Sequence, residues 1–198
     1  MPAQKPKIVV FIDSGNLWNV YKVIGKLLDF SKLSSFFSTK FSGDVFKIFY
    51  YVAYPPEGTR LKTDSDRFHK FLTYLKKGLK FHVVKKPLKT IHLRDQKGAI
   101  IFDQKTGKPQ AIEKGNFDVE LTIDAIRFVK DYDIAVFLSG DSDFLPLITN
   151  LRLQEKKKVY VFSSANCVSK ELKTGADGYF DLAAFPELHG NKLESKSI

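Results

Sequence analysis

Several aspartates occupy positions from which carboxylates could bind a metal ion: Asp13, Asp118, Asp141 and Asp143. Asp13 directly follows the apolar run 7–12, and the 141/143 pair follows the apolar run 133–138. Asp118 stands at the start of a stretch with helical periodicity. Carboxylates brought close together repel one another unless protons or a cation neutralise them. Oxygen ligands without multiple cysteines favour Mg²⁺ or Mn²⁺ over zinc.

Each of these aspartates also has an ordinary structural explanation. An aspartate after a strand most often caps the next helix, and capping is the favoured interpretation for Asp13, Asp118 or Asp141 taken alone. Open α/β sheets, however, gather their ligands at the carboxyl ends of the strands. Three or four aspartates at such ends in one sheet therefore favour a metal site over separate caps.

The elements that must position these side chains alternate between strand and helix. Apolar, β-branched runs predict strands at 8–12, 45–53, 79–84, 133–138 and 158–162, with an edge strand at 179–182. Periodic apolar positions and turn residues predict helices at 17–28, 63–78, 117–129, 144–151 and 166–173. This alternation predicts a three-layer α/β domain with a mostly parallel central sheet flanked by helices.

One domain is expected over residues 1–185. A β-hairpin is predicted from the short alternating runs 91–94 and 99–102, with turn residues at 95–98 between them. We expect it to be inserted at about 88–110, and a loose polar tail at 186–198.

The formal net charge is +10, and the excess is concentrated in one segment. Residues 60–115 carry 15 basic and 5 acidic residues, whereas the rest of the chain carries 17 of each. A concentrated basic surface favours a polyanionic partner, because neutralised phosphates release counterions. A lysine-rich face that only aids solubility is the alternative, and composition does not separate the two.

Other classes of protein are disfavoured by the composition. No apolar run approaches the roughly 20 residues of a bilayer-spanning helix, so no membrane partner is expected. The only cysteine, Cys167, excludes an intramolecular disulfide and a multi-cysteine zinc site. The short basic start of the chain lacks a signal-peptide core, which leads us to expect a cytoplasmic protein.

Four blocks of the sequence resemble the NYN domain family, in its LabA-like branch. They are Phe11-Ile-Asp-Ser-Gly-Asn16, Lys114-Gly-Asn-Phe-Asp-Val-Glu-Leu-Thr-Ile-Asp124, Leu138-Ser-Gly-Asp-Ser-Asp-Phe144, and Ser169-Lys-Glu-Leu172 followed by Ala176-Asp177. The blocks occur in the family's order and span nearly the whole chain. The resemblance implies a PIN-like nuclease fold whose acidic residues bind a divalent metal, with the basic hairpin as an insertion.

The resemblance also assigns roles to individual positions. Asp13, Asp118 and Asp141 match the acidic metal-binding positions, and Asp143 matches the second aspartate of its block. Asn16 matches the polar residue that starts the first helix. Two further matches are expected to be supporting residues: Asp124, which helical geometry rotates about 120° away from Asp118, and Asp177.

The implied function is a metal-dependent endoribonuclease that hydrolyses phosphodiester bonds in single-stranded RNA with Mg²⁺ or Mn²⁺. Six residues are predicted to bind the nucleic acid: Asn16, Lys85, Lys86, Lys89, Arg94 and Lys114. Three residues are candidates for stacking on bases: Trp18, His92 and Phe102. Core packing is favoured for Trp18 and Phe102. Composition alone does not separate RNA from DNA.

Two alternatives belong to other classes. A catalytically silent RNA-binding or regulatory protein could keep the fold and the basic face. A phosphatase for small phosphoesters is disfavoured, because Asp13-Ser-Gly lacks the Asp-x-Asp pattern of the haloacid dehalogenase type and a small substrate has no use for a basic hairpin. The sequence leaves a homodimer or a protein partner open.

Overall fold

The computed structural model describes residues 4–55, 61–104 and 106–193. The strands are β1 (Lys7–Asp13), β2 (Lys26–Leu28), β3 (Asp44–Tyr54), β4 (His82–Pro87), β5 (Lys89–His92), β6 (Ala111–Lys114), β7 (Ile134–Leu138), β8 (Lys158–Ser163), β9 (Gly178–Asp181) and β10 (His189–Lys192). The helices are α1 (Ser14–Ile24), α2 (Leu33–Phe41), α3 (Lys62–Thr73), α4 (Asp118–Arg127), α5 (Leu145–Leu153) and α6 (Lys170–Gly175).

Six strands form one sheet in the order β4-β3-β1-β7-β8-β9, and every neighbouring pair in it is parallel. The chain builds outward from β1 through β3 to β4, then returns to β7 on the other side of β1. The strand order therefore reverses between β1 and β7. In open α/β sheets the crevice at such a reversal is where ligands bind.

The first strand shows why the domain has three layers. Its side chains alternate between faces: Ile8, Val10 and Ile12 join the core cluster that includes residues of α1, α2 and α3. Val9 and Phe11 join the second cluster, with residues of α4, α5 and α6. A strand covered on both faces reads as a continuous apolar run. The predicted α/β fold with a parallel sheet between helices is confirmed.

Several element boundaries differ from the prediction. The first helix ends at Ile24, because Gly25 adopts a left-handed conformation with φ 73°, and Leu28 is buried in β2 instead of extending the helix. The third sheet strand begins at His82, after a π-helical turn at Tyr74–Gly78. Helix α6 begins after Ser169, whose side chain caps it, and not at residue 166. Helix α2 lies where no helix was predicted.

The hairpin pairs differently from the prediction. Its ladder joins β5 to β6, with Lys89 opposite Lys114 and His92 opposite Ala111. The predicted strands 91–94 and 99–102 are joined only by an isolated bridge between Arg94 and Ile100. The predicted turn between them is present, and the Asp95 N–H donates to the Ala99 carbonyl at 2.8 Å. The pairing is longer-range than expected because residues 93–104 and 106–110 lie beyond the ladder.

The chain after residue 185 also differs from the expected loose tail. Leu188 is fully buried, and β10 pairs antiparallel with β2. These contacts fix residues 186–193 against the domain. The expectation for residues 194–198 lies outside the described residues. No helix among the described residues combines the length and apolar character that a bilayer crossing requires.

Candidate active site

Asp13 ends β1 and caps α1. Its Oδ1 accepts hydrogen bonds from the backbone N–H groups of Gly15 at 3.1 Å and Asn16 at 3.3 Å. Its Oδ2 accepts from the Ser139 hydroxyl at 3.2 Å. Capping is thus part of its role, and the hydrogen bonds to both oxygens fix the carboxylate at the carboxyl edge of the sheet.

Gly140 joins three of the four family-like blocks. Its N–H donates to Asn16 Oδ1 at 2.8 Å, and its carbonyl accepts from the Ser169 N–H at 2.9 Å. A Cβ at this position would overlap the carbonyl oxygen of Cys167, so the close approach requires glycine. Since the Asn16 carbonyl is already used, its NH₂ group is the part that can donate to a ligand.

Asp141 and Asp143 are positioned by a 3₁₀ turn, Ser142–Phe144, at the start of α5. Asp141 is half-buried and caps this turn, with its Oδ1 accepting from the Asp143 N–H at 3.1 Å. Asp143 is exposed. Phe144 is buried in the core and fixes the turn against the sheet.

Asp118 opens α4 without a side-chain cap at the preceding residue, Phe117. Its N–H donates to Asn116 Oδ1 at 2.8 Å. Phe117 is buried against Tyr51 of β3, which fixes the start of the helix beside the sheet. Asp118 therefore reaches the site from a separate element, on the opposite side from α1.

A cavity of about 220 Å³ brings these side chains together. Six predicted residues line it: Asp13, Asn16, Lys114, Asp118, Asp141 and Asp143. Sequence reasoning missed other residues of the site, of which Asn19, Gly115 and Asn116 line the cavity. Asn19 follows Asn16 by three residues, and that helical spacing could have identified it.

The electrostatics of the cavity are those of crowded carboxylates. Burial raises the pKa of Asp13, Asp141 raises it further, and the hydrogen bonds from Asn16, Ser139 and Gly15 oppose the shift. Burial also raises the pKa of Asp118, and Asp141 and Asp143 add to this rise. The hydrogen bond with Asn116 and the charge of Lys114 oppose it. Negative charge is therefore costly here, which is the condition that a cation relieves.

The chemistry of these side chains fits a hard divalent cation, because the donors are carboxylate and amide oxygens. Across residues 4–55, 61–104 and 106–193, no group of three or more Asp, Glu, His or Cys side chains is arranged to hold a metal ion. The candidate ligands thus share a cavity without forming a closed coordination shell.

The four family-like blocks all lie within the part of the chain that matches a known family. The family model for the NYN domain matches residues 7–183. The chain belongs to the NYN domain family. NYN and PIN-like domains are typically nucleases, and PIN-like nucleases generally use divalent metals. Membership of the family therefore implies a nuclease or RNA-related function.

One known protein and one solved structure are similar to this NYN domain over most of its length. It is 25% identical over 182 residues to the low amplitude and bright protein LabA of Synechococcus elongatus, covering 92% of this chain and 87% of that protein. A crystal structure of a protein of unknown function from Vibrio parahaemolyticus matches with a TM-score of 0.63 at 23% identity, covering 92% of this chain and 96% of the other. The second likeness shows the fold alone.

The predicted basic residues of the NYN domain are distributed over several surfaces. Three line a cavity of about 250 Å³ that adjoins the acidic one: Lys86, Lys89 and Lys114. Lys86 also forms an ion pair with Glu120 at 2.7 Å. Lys85 lines a different cavity, on α3, and Arg94 donates to the Gly98 carbonyl at 2.7 Å beyond the hairpin ladder.

The two supporting aspartates have structural contacts. Asp124 is buried on α4, accepts from the Tyr51 hydroxyl at 3.1 Å and pairs with Arg127 at 3.4 Å. Asp177 precedes β9, accepts from the Val159 N–H at 2.9 Å and pairs with Arg152 at 3.1 Å. Asp177 thus lies at the amino edge of the sheet, away from the acidic cavity.

Proposed function

We propose that this NYN domain is a metal-dependent endoribonuclease that hydrolyses phosphodiester bonds in single-stranded RNA. The observation that carries the proposal is the acidic cavity at the reversal of strand order, adjoined by a cavity lined with lysines. The two cavities share Lys114, Gly115 and Asn116. A phosphodiester could therefore contact lysine ammonium groups while its phosphorus lies near the carboxylates.

The roles of the acidic residues follow from their positions. Asp13, Asp118 and Asp141 would hold Mg²⁺ or Mn²⁺, and the bound ion would lower the pKa of a water and offset charge on the phosphate. Asp143, exposed at the rim, would accept a hydrogen bond from the attacking water and orient it. The Asn16 NH₂ group would donate to a phosphate oxygen.

The lysines would position the strand. Lys114 lies closest in sequence to the carboxylates and lines both cavities, so it would contact the phosphate next to the scissile bond. Lys89 is opposite Lys114 in the ladder, which places both side chains on one face of the hairpin. Lys86 is partly neutralised by Glu120, and its contribution would be smaller.

A catalytically silent RNA-binding protein is the second candidate. It is favoured by one observation: the described residues hold no three-ligand metal group. The same lysine-lined cavity would then bind RNA without cutting it. The two candidates differ in a single property, which is whether divalent metal converts binding into cleavage.

The test is a cleavage assay on end-labelled single-stranded RNA, with Mn²⁺, with Mg²⁺ or with chelator. We expect metal-dependent cleavage by the wild type and none by an Asp13→Asn/Asp141→Asn variant. The control is Asp131→Asn, which should keep full activity because its exposed carboxylate precedes β7 at the opposite edge of the sheet. Equal binding by wild type and double variant, with no cleavage by either, would support the silent candidate.

A further inference from the structure

A second, larger cavity opens beside the acidic one. It has a volume of about 480 Å³ and lies between α1 and the start and end of the hairpin ladder. Its own lining includes Trp18, Leu88 and Glu113. It shares five lining residues with the acidic cavity: Gly15, Asn19, Lys114, Gly115 and Phe117. A ligand could therefore extend from one cavity directly into the other.

Trp18 is the most distinctive residue of this cavity. It is the only tryptophan of the chain and is half-buried. One side of the indole packs against the core, with the ring of Tyr21 in an edge contact at 6.2 Å between centroids. Trp18 is nevertheless one of the residues that line the cavity. An aromatic ring fixed on a helix loses little conformational entropy when a planar ligand stacks on it.

The position of the hairpin relative to this ring is fixed by packing. A Cβ at Gly115 would overlap the Cβ of Ala53 on β3, so the end of the hairpin contacts the sheet as closely as a glycine permits. Gly115 lies between the two cavities and lines both. The end of the hairpin is therefore held against the sheet at the boundary between the two cavities.

We infer that this cavity binds one unpaired base of the nucleic-acid strand, stacked on Trp18, next to the bond at the acidic cavity. The inference rests on the proposed function. The volume lies within the range of about 300–1,000 Å³ of small-ligand pockets. Lys114 at the boundary of the cavity suits the phosphate that links the base to the next nucleotide. The Asn19 amide offers a donor and an acceptor to a base edge.

The experiment uses the full chain in chelator, with two end-labelled six-nucleotide RNA strands. One carries its bases and the other is abasic throughout. The base-bearing strand should quench the Trp18 emission of the wild type saturably, and the abasic strand should not. Trp18→Ala should weaken binding of the base-bearing strand about tenfold by anisotropy and leave the abasic strand unchanged, since loss of one stacked base has this order of effect.

Two controls separate stacking from folding. Trp18→Phe keeps an aromatic ring and should retain most of the affinity, and Val23→Ala changes an exposed residue of the same helix and should have no effect. If Trp18→Ala does not fold, the test rests on the quenching of the wild-type emission and on the affinity of Trp18→Phe for the base-bearing strand. Unchanged wild-type emission on saturation with the base-bearing strand, or identical quenching by the abasic strand, would overturn the base site.

The outcomes also separate this inference from the proposed function. Metal-dependent cleavage without base-dependent quenching removes the base site and leaves the nuclease. Base-dependent quenching without cleavage under any metal keeps the base site on a silent RNA-binding protein. Binding of neither strand, together with no cleavage under any metal, overturns both.

Discussion

Ser139 is 1% exposed, and its hydroxyl donates a hydrogen bond to Asp13 Oδ2 at 3.2 Å. Asp13 and Ser139 come directly after Ile12 of β1 and Leu138 of β7, which are paired in the sheet. The contact therefore joins the two strands that flank the reversal of strand order. It also links the loop that carries Asp141 to the carboxylate that caps α1.

Removing this hydroxyl should change the pH dependence of cleavage. The hydrogen bond from Ser139 lowers the pKa of Asp13 against the effect of burial, so Ser139→Ala should raise that pKa. The acid limb of the cleavage–pH profile should move to higher pH, with about tenfold lower activity at its acid end, as expected for one hydrogen bond to a charged group. Ser142→Ala, at an exposed serine of the same loop, should leave the profile unchanged. An unshifted profile in Ser139→Ala would exclude this role.

Sequence patterns predicted the parts of this molecule that depend on local chemistry. The central strands β1, β3, β7 and β8 were identifiable because buried parallel strands read as apolar runs. The edge strands β4 and β9 are only partly buried, and β4 begins three residues later than predicted. Asp13 was identifiable because it directly follows such a run, and Asp141 because it lies in the short polar turn after another. The fold then brings together, in one cavity, six predicted residues that are spread over the chain from Asp13 to Asp143.

The features that the sequence did not predict depend on long-range pairing. The choice of residues 111–114 as partner of β5, and the pairing of β10 with β2, are made by tertiary contacts and not by turn residues. Phe102 was expected in the core and is 55% exposed. Lys86 was predicted to bind RNA, and in the structure its ammonium group forms an ion pair with Glu120.

The metal-free protein should lose stability as pH rises through the pKa of Asp13. Burial raises that pKa above 3.8, so the folded state holds the proton after the unfolded state has lost it. The favourable contribution is fully present below pH 3.8 and is lost as pH rises through the folded pKa. In chelator at pH 7, Asp13→Asn should therefore be more stable than the wild type in urea unfolding. The difference should shrink as pH falls towards 3.8; a gap of constant size would contradict the assignment.

Asp177→Asn should reduce stability without altering the chemistry. Although burial opposes it, the Val159 N–H and Arg152 lower the pKa of Asp177, so its charge stabilises the fold at neutral pH. Loss of hydrogen bonds to a charged group costs about 1–3 kcal/mol of unfolding free energy. Urea unfolding should show this loss, while cleavage per folded molecule stays at the wild-type rate. A large fall in that rate would place Asp177 in the active site instead.

Lys114→Ala should weaken binding of single-stranded RNA and reduce its salt dependence. If Lys114 contacts one phosphate, the slope of log K against log salt should fall by about 0.7. The control is Lys130→Ala, an exposed lysine between α4 and β7 that lines neither cavity. Anisotropy titrations between low and high salt give both slopes. Identical slopes for Lys114→Ala and wild type would remove Lys114 from the phosphate path.

The most direct test of the central claim is Mn²⁺ binding measured by calorimetry, because the acidic cavity gathers carboxylates without a closed coordination shell. The wild type should bind Mn²⁺, Asp118→Asn should bind it at least tenfold more weakly, and Asp13→Asn/Asp141→Asn should not bind it. Equal Mn²⁺ binding by all three proteins, or none by the wild type, would contradict the account.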